Sequence, residues 1–173
     1  MGMSSTEWSR YMHDELGVPM EPDEISAAVV EGLKAHYRRH VPLLPHAVET
    51  VRALAERWPL AVASSANRPL IDLVLELTGM AGLFRATVSS EEVPRGKPAP
   101  DVYIEAARRL EVAPEQCVAV EDSTNGIRSA SAAGMRVVVV PRPDFPPSAE
   151  ALRVADALLT SLAELEPTLE ELT

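Results

Sequence analysis

Three polar clusters in this chain each follow a short apolar run. Ser64-Ser65-Ala66-Asn67 follows residues 60–63, and Glu121-Asp122-Ser123-Thr124-Asn125-Gly126 follows residues 117–120. After the run at 86–89 the chain continues through Glu91 and Glu92 to Gly96-Lys97-Pro98-Ala99-Pro100-Asp101. Small hydroxyls and an amide opening a helix make an anion site, because unpaired backbone N–H groups point at the ligand. The plainer alternative is ordinary N-capping by serine or asparagine. Lys97 is one of only two lysines among 16 basic residues, the other being Lys34. A compact ammonium suits point contact with a phosphate or carboxylate better than a guanidinium fork does. The plainer alternative is a solvated loop cation. Two adjacent carboxylates just after an apolar strand are costly unless they meet a cation or hydrogen-bond donors. Hard oxygen ligands favour Mg²⁺. Here the alternative is helix capping by Asp122, with Glu121 gaining from the helix dipole. Together, anion donors, a lysine and a carboxylate pair are the equipment for metal-assisted phosphoryl transfer.

The surrounding pattern says how such groups could meet. Apolar runs at 60–63, 86–89, 117–120, 137–140 and 157–159 alternate with helical periodicity. That alternation predicts an α/β fold with a Rossmann-like parallel sheet. The runs are continuously apolar, so both faces of the sheet should be covered. Ligands of such sheets bind beyond the carboxyl ends of the strands, which directs attention to the residues after 63, 89, 120 and 140. Residues 1–41 read as helical instead. A shorter helix is expected from Ser4 to Leu16, ending at Gly17. Ile25, Ala28, Val29, Gly32, Leu33, His36 and Tyr37 then form one amphipathic stripe. Pro42-Leu43-Leu44-Pro45 breaks the helical pattern and divides residues 1–41 from 42–173. A final helix is expected after Leu162.

Composition excludes several classes. The chain has 173 residues, 46% hydrophobic and 24% charged, a profile that can bury a core without staples. Its net charge of −10 argues against a nucleic-acid binder. One cysteine, Cys117, leaves no disulfide framework and is read as a core residue. His36 and His40 lie one turn apart, but no third metal ligand accompanies them. No apolar run is long enough to span a bilayer, and no signal-peptide pattern opens the chain, so a cytoplasmic location is expected. Residues 1–6 fit the myristoylation pattern only in a short match, read as incidental.

At this point the chain resembles the haloacid dehalogenase (HAD) superfamily of phosphohydrolases. The matching stretches are residues 60–67, Gly96-Lys97-Pro98-Ala99-Pro100-Asp101, and residues 118–126 running on to Ala133-Gly134-Met135. The likeness covers roughly residues 1–160 and is strongest for the β-phosphoglucomutase-like and phosphoglycolate-phosphatase-like branch. It implies a HAD-like core at 42–173 and a partial helical cap at 1–41. It implies that Ser64 binds the substrate phosphate with help from Ser65 and Asn67, and that Lys97 bridges phosphate and nucleophile. It further implies that Glu121 and Asp122 hold Mg²⁺, directly or through water. The expected substrate is a small phosphorylated metabolite such as a sugar phosphate, turned over by a phosphatase or a phosphomutase.

One departure from the family stands out. Its first motif, Asp-x-Asp-x-Thr on a strand, supplies the aspartate that attacks phosphorus. Aspartates here stand at 14, 23, 72, 101, 122, 144 and 156, with no two separated by one residue. In the family that first strand lies between the strand before Ser64 and the strand before Glu121. Its absence would leave two unpaired edges inside the core. The expectation is therefore a chain shortened at its N-terminus, binding phosphate weakly and turning over nothing. The upstream reading frame should then carry the motif about 45–55 residues earlier, the length of a strand and cap helices. Two alternatives remain: a non-catalytic phosphate-binding protein, and a 2-haloacid dehalogenase, which needs no metal.

Overall fold

A computed structural model describes residues 5–172. The start of the helix expected at Ser4, and most of the short pattern at 1–6, lie outside the described residues. Eight helices and five strands follow in the order α1 (Ser5–Asp14), α2 (Pro22–Tyr37), α3 (Ala47–Ala55), β1 (Leu60–Ser64), α4 (Arg68–Leu77), β2 (Phe84–Ser89), α5 (Asp101–Leu110), β3 (Val118–Glu121), α6 (Thr124–Ala132), β4 (Arg136–Val139), α7 (Ala149–Leu152), β5 (Ala157–Leu158) and α8 (Leu165–Leu172). Each strand overlaps one of the five apolar runs with ends displaced by one or two residues, so that Cys117 precedes β3 and Glu121 closes it. Gly17 carries φ +67°, the left-handed conformation that lets the chain turn out of α1.

Every strand pair is parallel, as the alternation predicts. The strands form two sheets, however: β1 with β2, and β3-β4-β5. Side chains alternate as a pleat requires. Val137 and Val139 of β4 enter one core cluster with Ala119, Val102, Ala106 and Ile127. Val138 and Val140 enter the opposite cluster with Leu54, Leu165 and Leu169. Thus α5 and α6 cover one face while α3 and α8 cover the other. The first cluster also takes Val88, Ala61 and Ala63 from the β1-β2 sheet, so one helical layer spans both sheets.

Between the sheets lies a slot. Residues of β1 (Leu60, Ala61, Ala63) and β3 (Val118, Ala119, Val120) face it from opposite sides, around a cavity volume of about 480 Å³. All five residues of β1 are only half-buried, whereas three of four in β4 are fully buried. Val120 is 41% exposed although it sits in a strand. Both edges facing the slot lack a neighbouring strand among the described residues. The helical pair α1–α2 packs on itself and reaches α4 through α2. Ser5 also donates to Glu91 beyond β2, at 2.7 Å.

Candidate functional site

A cleft of about 400 Å³ opens at the carboxyl ends of β1 and β3. The loop after β1 supplies Ser64 and Ser65, and the loop after β3 supplies Glu121 and Asp122. Lys97 enters from the loop between β2 and α5. The residues after 63 and 120 reach this cleft, as expected of a parallel sheet, whereas from the next strand end only Val140 itself does. No residue of α1 or α2 lines it. Leu44, in the connector, is the nearest contribution from that side.

Lys97 is 6% exposed and Glu121 8%. Their side chains form an ion pair. The Lys97 ammonium also donates to the Ala63 carbonyl at 3.2 Å and lies 4.7 Å from the centre of the Tyr103 ring. Glu121 Oε1 accepts from Lys97 and from the Tyr103 hydroxyl. Glu121 Oε2 accepts from the backbone N–H of Asp122 at 3.1 Å and of Ser123 at 3.3 Å, and from Ser123 Oγ at 3.1 Å. Burial alone would raise the Glu121 pKa, but the Lys97 charge and these hydrogen bonds leave it below the usual carboxylate range. Asp122 goes the other way, because burial and then the neighbouring Glu121 charge raise it. Tyr103 is pushed well up by burial and by Glu121.

The α6 terminus shows how the carboxylate is seated. Ser123, not Asp122, is its side-chain cap, accepting from the Gly126 N–H at 3.1 Å. That corrects the capping alternative for Asp122 and leaves its carboxylate in the cleft. A Cβ at Gly126 would stand 2.0 Å from the Glu121 carboxyl carbon. Gly126 therefore makes the room in which Glu121 lies against the helix. The sequence offered one signal of this, a glycine in the first turn of a helix, where alanine is intrinsically favoured by about 1 kcal/mol. Tyr103 was legible only as a core residue of α5. Its hydroxyl in fact joins the Lys97–Glu121 pair.

Asn67 is drawn elsewhere. It opens α4 without capping it, and its amide donates to Glu91 at 2.8 Å. Glu91 also accepts the Arg68 N–H at 3.1 Å, so a carboxylate from the neighbouring loop occupies that helix terminus. The cleft thus gathers Ser64, Ser65, Lys97, Glu121 and Asp122, while Asn67 is not part of its wall.

The donor set fits a hard dication in one particular mode. Among the described residues no group of three or more His, Cys, Asp and Glu side chains comes together. Mg²⁺ commonly binds through one or two carboxylates, taking its other ligands from water and phosphate. Asp122, whose charge is disfavoured by burial and by Glu121, is where a cation would relieve repulsion.

Residues 2–134 match the family model described as haloacid dehalogenase-like hydrolase. The chain belongs to that hydrolase family. It is 33% identical to a probable pseudouridine-5'-phosphatase of Drosophila melanogaster, covering 96% of this chain and 74% of that protein. It is 39% identical to hexitol phosphatase B of Escherichia coli K12, over 72% of this chain and 56% of that protein. The crystal structure of CbbY from Rhodobacter sphaeroides, in complex with phosphate, superposes with a TM-score of 0.82 at 30% identity, covering 96% of this chain and 76% of that one. Among the described residues no helix is long and apolar enough to cross a membrane.

Proposed function

We propose that this chain carries the phosphate- and cation-binding part of a metal-assisted phosphatase for a small phosphorylated metabolite. The observation that carries the reading is the placement of Lys97. One ammonium is buried at the carboxyl ends of β1 and β3, within the cleft that holds Ser64, Ser65 and Asp122. In this reading Lys97 neutralises the phosphoryl charge, and the Ser64 and Ser65 hydroxyls orient its oxygens. Asp122 would hold Mg²⁺ directly and Glu121, already bound to Lys97, through water; the ion would supply further charge neutralisation. Relatives named as phosphatases of pseudouridine phosphate and hexitol phosphates support a sugar-phosphate-like substrate. The pair α1–α2 is the partial cap of this arrangement.

The cleft contains two carboxylates, and Glu121 is committed to Lys97, Tyr103 and the α6 terminus. The chain by itself is therefore expected to bind phosphate without turning it over. The test is calorimetric titration of inorganic phosphate with and without Mg²⁺, beside an assay of sugar-phosphate hydrolysis. Weak binding that Lys97→Met abolishes is the expected result. Binding that survives this substitution overturns the phosphate role of Lys97. Chelator-insensitive release of halide from a 2-haloacid would instead assign the dehalogenase reaction.

A further inference from the structure

We infer that Arg68, Arg109 and Glu92 form a side-chain clasp that stands in for a neighbouring strand along the outer edge of β2, and so keeps this chain from pairing edge to edge with a second copy of itself. β2 is the longest of the five strands, six residues from Phe84 to Ser89, and β1 is its one strand partner among the described residues. An edge of that length offers a row of unpaired main-chain groups to a second chain. Two β2 edges related by a two-fold axis run antiparallel, so the donors of each copy meet the acceptors of the other. The far edge of the other sheet is protected by being short, since β5 has two residues. The β2 edge is too long for that remedy.

The bonds along this edge follow a strand's pattern. In a parallel pair, one residue of the incoming strand donates to the carbonyl of residue i and accepts from the N–H of residue i+2. Here the carbonyl is that of Thr87, which accepts from Arg68 Nη2 at 3.0 Å and from Arg109 Nη1 at 2.7 Å. The N–H is that of Ser89, which donates to Glu92 Oε1 at 3.0 Å. Guanidinium groups thus take the donor's place and a carboxylate the acceptor's. Arg68 Nη1 also donates to Thr87 Oγ1 at 2.7 Å, so its fork grips both oxygens of one residue. The clasp is closed on itself. Glu92 pairs with both arginines, Asp72 holds Arg68 at 3.2 Å, and Glu105 holds Arg109 at 2.7 Å. Part-exposed ion pairs contribute little to stability by themselves, whereas filling the outward main-chain groups removes the template for pairing. None of these side chains lines the cleft, so the inference stands apart from the phosphatase reading.

The test opens the clasp in the full chain with Arg68→Gln/Arg109→Gln and follows association by sedimentation velocity over a range of protein concentration. The double variant is expected to associate at a concentration at least about tenfold lower than wild type. Hydrogen exchange locates the contact. The Thr87 amide should slow by about tenfold or more as protein concentration rises, while that of Leu158, on the opposite edge, stays as in wild type. Arg68→Lys/Arg109→Lys keeps both charges and loses only the forks, so it remains the decisive pair if the glutamine variant fails to fold. It should associate at an intermediate concentration, with the same slowing at Thr87. A variant pair that keeps wild-type circular dichroism and associates no more readily than wild type overturns the proposal. Association that protects Leu158 and leaves Thr87 unchanged overturns it as well.

Discussion

Gly126→Ala tests the seating of Glu121 directly. Helix propensity alone predicts that alanine stabilises α6 by about 1 kcal/mol. The structure predicts the opposite sign. The new Cβ would lie 2.0 Å from the Glu121 carboxyl carbon and equally near both oxygens, so the carboxylate must leave its place. It would give up the Asp122 and Ser123 N–H groups and the Ser123 hydroxyl, and loosen its hold on Lys97 and Tyr103. Hydrogen bonds to a charged group contribute about 1.5–3 kcal/mol each. Losing two of these, against the propensity gain, leaves a net destabilisation of about 2–5 kcal/mol. In a domain of this size that corresponds to a Tm lower by about 4–20 °C. Urea unfolding of wild type and variant measures it. The control is the same substitution in a Lys97→Met/Glu121→Ala background, where the clashing carboxylate is gone. There Gly126→Ala should be neutral or stabilising by up to about 1 kcal/mol. A Gly126→Ala chain as stable as wild type would refute the reasoning.

Two further predictions concern protons. Glu92 accepts from Arg68, Arg109 and the Ser89 N–H; burial opposes these bonds, yet its pKa falls from 4.5 to about 2. A depressed carboxylate stabilises the fold above its unfolded pKa and loses that contribution as pH falls from about 4.5 through about 2. The shift sets a ceiling of about 3 kcal/mol at neutral pH, and its 30% side-chain exposure reduces the expectation to about 1–2 kcal/mol. Glu92→Gln should therefore cost that much in urea at pH 7 and flatten the acid limb. Asp122 has the opposite sign: its pKa is raised by burial and by Glu121, so its contribution is present at low pH and lost as pH rises through the folded pKa. Asp122→Asn should make the chain more stable at pH 7, make little difference at pH 3, and abolish any stabilisation by Mg²⁺ in thermal melts.

Much of the fold was legible because its strands are buried on two faces. Runs such as Val137 to Val140 can be read without knowing their neighbours, and the positions just after them follow from parallel topology. Ser64, Ser65, Glu121 and Asp122 therefore meet where the sequence placed them. Lys97 stands out by residue type in an arginine-rich chain, and its loop carries it between the sheets. What failed to show depends on contacts across the chain. Asn67 has a side chain suited to an anion, yet Glu91 from a different loop takes its amide. Tyr103 satisfies the apolar stripe of α5, and nothing in that stripe reveals where its hydroxyl ends. The division into two sheets is a property of pairing, and no single strand encodes it. Without a first motif among residues 1–173 two open edges are expected, and both face the apolar slot between the sheets.

The Lys97–Glu121 pair is best understood from that division. Desolvating two charges costs several kcal/mol per ion, and apolar replacements of buried pairs are often neutral or stabilising. Core cohesion is thus a poor reason for this pair. Its position gives a better one. Lys97 bonds the last carbonyl but one of β1, at Ala63, and the carboxylate at the end of β3. It bridges the two sheets at the mouth of the slot, where no backbone pairing joins them. The same ammonium faces the cleft that holds Ser64, Ser65 and Asp122. A phosphate in the cleft would compete with Glu121 for the ammonium, so loading the cleft would draw on the same cation that bridges the two sheets.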